Sequence, residues 1–404
     1  MKKLFTLLLI ITAFSAKGDY WTQKADFGGV ARMGAVGFCI GTKGYIGTGW
    51  DSGNPFTSDF WEYEPFGNTW TQKANFGGMP RHYAVGFSIG TKGYIGTGQA
   101  GNVAKKDFWE YDPNVNTWTQ KSDVGGNERV GAVGFSINNK GYIGTGYTIP
   151  GFNALKDFWE YDPTVNLWTQ KMDFGGNERW GAVGFSDGTK GYIGTGFTIS
   201  MYNDFWEWDP ILNSWSQKAN FGGTPRVEAL GFWLCPFGYI GLGTTAIGSG
   251  TINDFWKYNI LTNAWSQSSS FGAGLREMAV AFSIGNKGYV GTGFINDDFN
   301  TLKIDFWEYT PDSTCTTGID ELSTSNLEFT ISPNPAKDFL IINYDGMEKV
   351  NLTITNVNGK VLTKSQILNP KSQIKIDISQ FSKGIYFVEV NNGKQKGVKK
   401  FLKE

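Results

Sequence analysis

Six near-copies of one phrase constrain this chain more than any other feature. Asp-Phe-Trp begins at Asp59, Asp107, Asp157, Asp204, Asp254 and Asp305, in steps of 48, 50, 47, 50 and 51 residues. The Trp of a Trp-(Thr/Ser)-Gln triplet recurs beside it at Trp21, Trp70, Trp118, Trp168, Trp215 and Trp265. A fixed period near fifty marks a repeat architecture, whose units bury their apolar faces against one another. One copy, residues 179–223, splits into four strand-like runs: 181–185, 191–195, 205–208 and 215–218. The turn between the last two reads Asp-Pro, which presets a type I turn because Pro fixes φ and Asp bonds back to the backbone. Four antiparallel strands per period read as one blade of a β-propeller.

The ends of the repeat predict how the ring closes. The first copy opens at Tyr20-Trp21, a fourth strand with no preceding three, and the last stops at Pro311, a third strand with no fourth. Together the fragments complete a sixth blade, which removes the exposed edges that each would leave alone. The expected fold is therefore all-β: a six-bladed propeller closed by its N-terminal strand. Within each repeat, Gly-Tyr-Ile-Gly-Thr-Gly leaves the second strand nearly bare so that neighbouring blades can approach. Aromatic rows from the third and fourth strands then fill the gap farther out.

The totals agree. With 404 residues the chain exceeds what one core usually organises. Aromatics at 16% and 55 glycines suit short strands and tight turns. A net charge of −1 gives no reason to expect a nucleic-acid partner. Residues 1–15, two Lys followed by an apolar run and small residues, read as a signal peptide, too short for a transmembrane anchor. The expected product is exported, with no transmembrane segment. The three cysteines lack metal-ligand spacing, and Cys39 and Cys235 read as buried free thiols.

After residue 311 the vocabulary changes. A polar linker, 312–326, leads into 327–404, where strand-like runs alternate with Asn-Gly turns, as in a small Ig-like β-sandwich. The domain plan is thus signal 1–15, propeller 16–311, linker 312–326 and C-terminal domain 327–404.

Two resemblances sharpen this reading. The period, Gly-Tyr-Ile-Gly-Thr-Gly, the Tyr-Asp-Pro-x-x-Asn-x-Trp phrase and the single Arg after a Gly pair resemble kelch repeats of the galactose-oxidase-like kind. The tail is similar to the type A C-terminal sorting domain of the type IX (Por) secretion system of Bacteroidota. Its matching features are Ser332 to Leu340 (SPNPAKDFL), Asn356 to Leu362 (NVNGKVL), Phe381 to Val390 (FSKGIYFVEV) and the terminal Lys-Lys-Phe-Leu-Lys. That resemblance implies the type IX machinery as partner, outer-membrane passage, and a final place on the cell surface or in the medium.

Candidate chemistry is sparse. All six arginines, Arg32, Arg81, Arg129, Arg179, Arg226 and Arg276, occupy one repeat position, and six Asp-Phe-Trp aspartates recur beside them. Two readings stand: a structural ring of Arg–Asp braces, or a cluster that holds an anionic ligand. Catalysis needs unlike groups in one place, and this near-symmetry offers few. A galactose-oxidase-type copper site wants two His, and only His82 exists. No catalytic residue, metal site or cofactor is expected. Function should lie where the repeats differ, in the joins between second and third strands and next to each Arg. Trp50, His82, Tyr147, Trp180, Phe197 and Tyr202 are the candidate ligand-binding residues, with exposed loop aromatics such as Phe56, Phe152, Phe294 and Phe299 around them. The expected function is a non-catalytic binding or adhesion module for a glycan or surface protein. The alternative is a carbohydrate-active enzyme on a kelch propeller, sialic-acid mutarotase-like.

Overall fold

The structure, a computed structural model, describes residues 18–53, 56–312, 329–344, 349–356, 361–368, 373–391 and 396–404. The signal segment and nearly all of the linker lie outside them. The chain forms two compact units, dividing between Cys315 and Thr316.

The first unit holds six four-stranded antiparallel sheets. Their innermost strands, Val36–Ile40, Val85–Ile89, Val133–Ile137, Val183–Ser186, Leu230–Leu234 and Val280–Ile284, neighbour one another in an unbroken circuit. This is a closed six-bladed propeller. The sixth blade takes its outer strand from the N-terminus. Tyr20–Gln23 pairs with Phe306–Thr310 in the register Tyr20↔Thr310 to Gln23↔Trp307.

Packing between blades follows from the repeat. At Gly44 an added Cβ would lie 2.4 Å from the Phe282 ring of the preceding blade, so only glycine admits that ring. Phe60, fully buried, meets Tyr111 and Trp118 of the next blade edge-on at centroid distances of 4.9 and 5.0 Å. Burying each such ring contributes roughly 1.5–3 kcal/mol, and edge-to-face contacts add about 0.5–1.5 kcal/mol. Polar clips finish the seam. Asn116 Oδ1 accepts the Ala74 N–H from the connection entering its blade, and Trp118 Nε1 donates to the Ala74 carbonyl. At the closing seam Asp19 replaces the Asn, accepting from Ser269 and from Tyr309 Oη.

Two details depart from the sequence reading. The inner strand of blade four begins at Val183 rather than at residue 181, because Gly181 turns into a left-handed conformation on the propeller axis. Cys235 is disulfide-bonded and not a free thiol. It stands in the turn between Leu230–Leu234 and Phe237–Gly241, outside the strand pattern that suggested burial. Cys39 is free and half-buried, and burial pushes its thiol up to about 11.

The second unit is a sandwich of a three-stranded and a four-stranded sheet. The first is formed by Phe329–Ser332, Phe339–Tyr344 and Gln373–Asp377. The second is ordered Val361–Leu368, Lys349–Asn356, Gly384–Asn391, Lys396–Lys403. Alternate residues from both sheets, among them Leu340, Ile342, Leu352, Ile354, Val388 and Phe401, make its core.

Candidate functional site

The starts of the inner and third strands share one face of the propeller, and there each Arg meets the Asp of its own blade. Arg32 Nη1 and Nη2 donate to Asp59 Oδ1 and Oδ2 at 2.6 and 2.7 Å. Arg81 and Asp107, Arg129 and Asp157, Arg179 and Asp204, Arg226 and Asp254, and Arg276 and Asp305 repeat the fork. Arg32 Nη1 also donates to the Thr48 carbonyl, Nε to the Val30 carbonyl, and Trp61 Nε1 donates to Asp59. The guanidinium lies 4.8 Å from the Phe27 ring centroid, a cation–π contact that blade three lacks because Val124 replaces the Phe. Burial acts to raise the carboxyls of Asp59, Asp107, Asp254 and Asp305. The bonds and charge of their arginines outweigh it and hold them below the usual carboxylate range. Every Arg is at most 1% exposed, so none is open to an anionic ligand.

The residue after each Arg makes a short bridge with the residue after each Gly-Thr-Gly or its equivalent: Met33↔Trp50, His82↔Gln99, Val130↔Tyr147, Trp180↔Phe197, Val227↔Thr244 and Glu277↔Phe294. Three candidate residues, Tyr147, Trp180 and Phe197, therefore gather with Phe152 in one patch between blades three and four. Tyr147 stacks on Phe152 at 5.6 Å, meets Trp180 edge-on at 5.5 Å, and Trp180 meets Phe197 at 5.6 Å. Beside them runs a groove of about 790 Å³, lined in part by Phe152, Trp180, Ile199, Asn153, Lys156 and Glu178. Phe152 is 74% exposed and Ile199 96%.

The other candidates lie apart. Tyr202 sets its ring 4.2 Å from the Arg179 guanidinium, and its hydroxyl bonds Thr198 Oγ1. Trp50 packs on Phe299. His82 is buried between Phe56 and Tyr83, bonded to Gln99, and burial lowers its affinity for a proton. Of the loop aromatics expected to be exposed, Phe294 is instead buried, stacked on Phe299.

Sequence reasoning missed the next position inward. Gly34, Tyr83, Gly131, Gly181, Glu228 and Met278, each two residues after an Arg, all adopt φ between +50° and +62°. Their backbones join head to tail: each N–H donates to the carbonyl of its counterpart in the preceding blade, at 2.9 to 3.3 Å, until the circle closes from Met278 to Gly34. Glycine suits this conformation. At Gly181 a Cβ would lie 2.6 Å from Val227 Cγ2. Three members instead carry large side chains, and these meet: Tyr83 Oη bonds Glu228 Oε1 at 2.8 Å and touches Met278 Sδ at 2.7 Å. Burial, with the charges of Glu277 and Asp297, raises Glu228 to about 8 against the pull of the Tyr83 bond. Non-glycine residues held at positive φ cost of order 1–3 kcal/mol each and cluster at functional sites. The signal was the set of exceptions to glycine at this one repeat position.

Comparison with known proteins agrees with this architecture. Residues 330–404 match the secretion system C-terminal sorting domain family. No curated protein matches the chain in sequence. Among solved structures, that of YjhT, a kelch-type propeller, superposes with a TM-score of 0.61 at 16% identity, covering 70% of this chain and 95% of that one. At that identity the likeness speaks for fold alone. The sorting domain places the protein on the type IX export route, to the cell surface or the medium. The chain is a six-bladed propeller, similar in fold to a kelch-type one, followed by a type IX C-terminal sorting domain at residues 330–404.

Proposed function

We propose that the protein is a non-catalytic binding or adhesion module, displayed or released by type IX secretion, which takes a glycan through the groove between blades three and four. One observation carries this reading: the groove joins an aromatic surface, exposed Phe152 and half-buried Trp180, to polar side chains at Asn153, Lys156 and Glu178. Aromatic faces stack on the apolar faces of sugar rings, while amides and charges bond the hydroxyls. A glycan array probed with the purified protein tests it. Binding should appear, and Phe152→Ala should weaken it at least tenfold while melting stays level; Trp180→Ala should weaken it as much in a protein that still folds. No glycan signal, together with capture of a protein ligand that Trp180→Ala abolishes, would move the reading to protein adhesion.

The alternative, a carbohydrate-active enzyme of sialic-acid mutarotase type, draws support from the axis. There Tyr83 and Glu228 form a hydrogen-bonded pair of unlike groups, the asymmetry that acid–base chemistry requires. Anomeric exchange of free sialic acid, followed by NMR with and without protein, discriminates the two. Acceleration lost in Glu228→Gln but kept in Trp180→Ala would favour the enzyme.

A further inference from the structure

We propose that Glu228, Glu277 and Asp297 bind one hard divalent cation, calcium by preference, beside the propeller axis. The three come from separate segments: the approach to the inner strand of blade five, the same approach in blade six, and the blade six loop between second and third strands. One carboxylate oxygen from each lies within 4.8 Å of the other two. Oxygens on opposite sides of a calcium ion, each at about 2.4 Å, stand about that far apart.

An acidic cluster alone would say little; the bonding of Glu277 says more. This side chain is 1% exposed. Its Oε1 accepts from Thr251 Oγ1 at 3.0 Å and from the Asp297 N–H at 2.9 Å. Its Oε2 is buried and has no donor. A carboxylate oxygen sealed from water normally has a partner, and the atoms converging here are other carboxylates. Among the described residues no Lys, Arg or His forms an ion pair with any of the three, so no side-chain cation answers the cluster. A bound cation supplies the missing charge and the missing partner together.

The surroundings hold the trio in place. Asn296 N–H donates to Thr251 Oγ1 and Thr251 N–H to Asn296 Oδ1, so the blade five and blade six loops are clipped together beside Asp297. Tyr83 fixes Glu228 through Oε1. The donors are all oxygen, which suits calcium or, less well, the smaller magnesium, and disfavours zinc, whose sites draw on His and Cys. The proposal is independent of the glycan groove, which lies between other blades.

Terbium luminescence on the purified protein tests it, since a lanthanide in this site would be sensitised by the Tyr83 ring. We expect saturable emission with one ion per chain, displaced by millimolar CaCl2, and a rise in melting temperature on adding CaCl2 after EDTA. Glu277→Gln and Asp297→Asn should each weaken binding at least tenfold while remaining folded in EDTA. Absence of saturable emission and of any CaCl2 effect on melting in the parent overturns the proposal. So does ion binding that both substitutions leave unchanged.

Discussion

Two concentric rings on one face of the propeller differ in kind. The outer ring, Arg32 to Arg276 with their aspartates, is six times nearly the same object: a buried fork with every charge answered, although Arg276 Nε finds no partner. The inner ring, two residues further along the chain, shares one backbone but joins three glycines to Tyr83, Glu228 and Met278, and among the described residues its one acid has no cationic partner. A closed ring needs each wedge alike, so repetition reports stability. Departure from repetition, where the backbone is strained and a charge is left unanswered, reports use.

That contrast can be broken in several ways. The largest effect should come from deleting residues up to Lys24, which removes the outer strand of blade six and the Trp21 ring that packs on Phe255 and Phe271. Loss of a packed Trp alone costs about 3–5 kcal/mol, and the freed edge adds to it. A truncated form that melts with the parent would defeat the closure account.

Next comes Arg129→Ala, which strands Asp157 without its fork. Breaking a buried pair costs about 3–5 kcal/mol, less where water reaches the carboxylate. Asp157→Asn should destabilise too, and the double mutant should show coupling of about 0.5–3 kcal/mol by denaturant unfolding. Rising melting temperatures across several such Arg→Ala variants would instead mean that the outer ring is crowded positive charge awaiting an anion.

The rings should also fail at opposite ends of the pH scale. Asp59, Asp107, Asp254 and Asp305 are held below their unfolded value of 3.8, so their contribution is present above that pH and is lost as pH falls through the folded values. Glu228 is raised from 4.5 to about 8, so between those values the folded protein holds an extra proton. Stability therefore declines as pH rises through that window and levels off above it, by up to about 5 kcal/mol in EDTA. In Glu228→Gln the alkaline limb should flatten while the acid limb stays; urea unfolding at about pH 2.5, 5 and 9 checks both. The smallest stability effect belongs to Phe152→Ala. Its 74% exposed ring should cost less than about 0.5 kcal/mol.

The sequence displays the outer ring openly because six copies of one spacing leave little else to infer: an Arg and an Asp-Phe-Trp in every repeat, with a Gly pair and a Gly-Thr-Gly in five of the six. The groove was half visible. Tyr147, Trp180 and Phe197 stood out as variable aromatics, yet their gathering between two particular blades depends on loop paths that periodicity does not encode. The axial trio was hidden for a different reason. Tyr83 and Glu228 lie 145 residues apart, and Tyr83 and Met278 lie 195 apart. Only the diameter of the finished ring brings them face to face. Glu277 directly follows Arg276, but Asp297 sits in an eleven-residue join whose course no local pattern predicts.

The borrowed outer strand has a consequence for how the molecule is made. Asp19 and Tyr309, bonded across the closing seam, are 290 residues apart, so the ring stays open until its sixth blade exists. Joining ends so distant carries an entropic cost near 5 kcal/mol beyond that of a minimal loop. The export address follows that last strand in the chain. A polypeptide cut short anywhere before it lacks its latch and its address at once. Order along the chain thus couples the two: every chain that carries the address also carries the strand on which the ring closes.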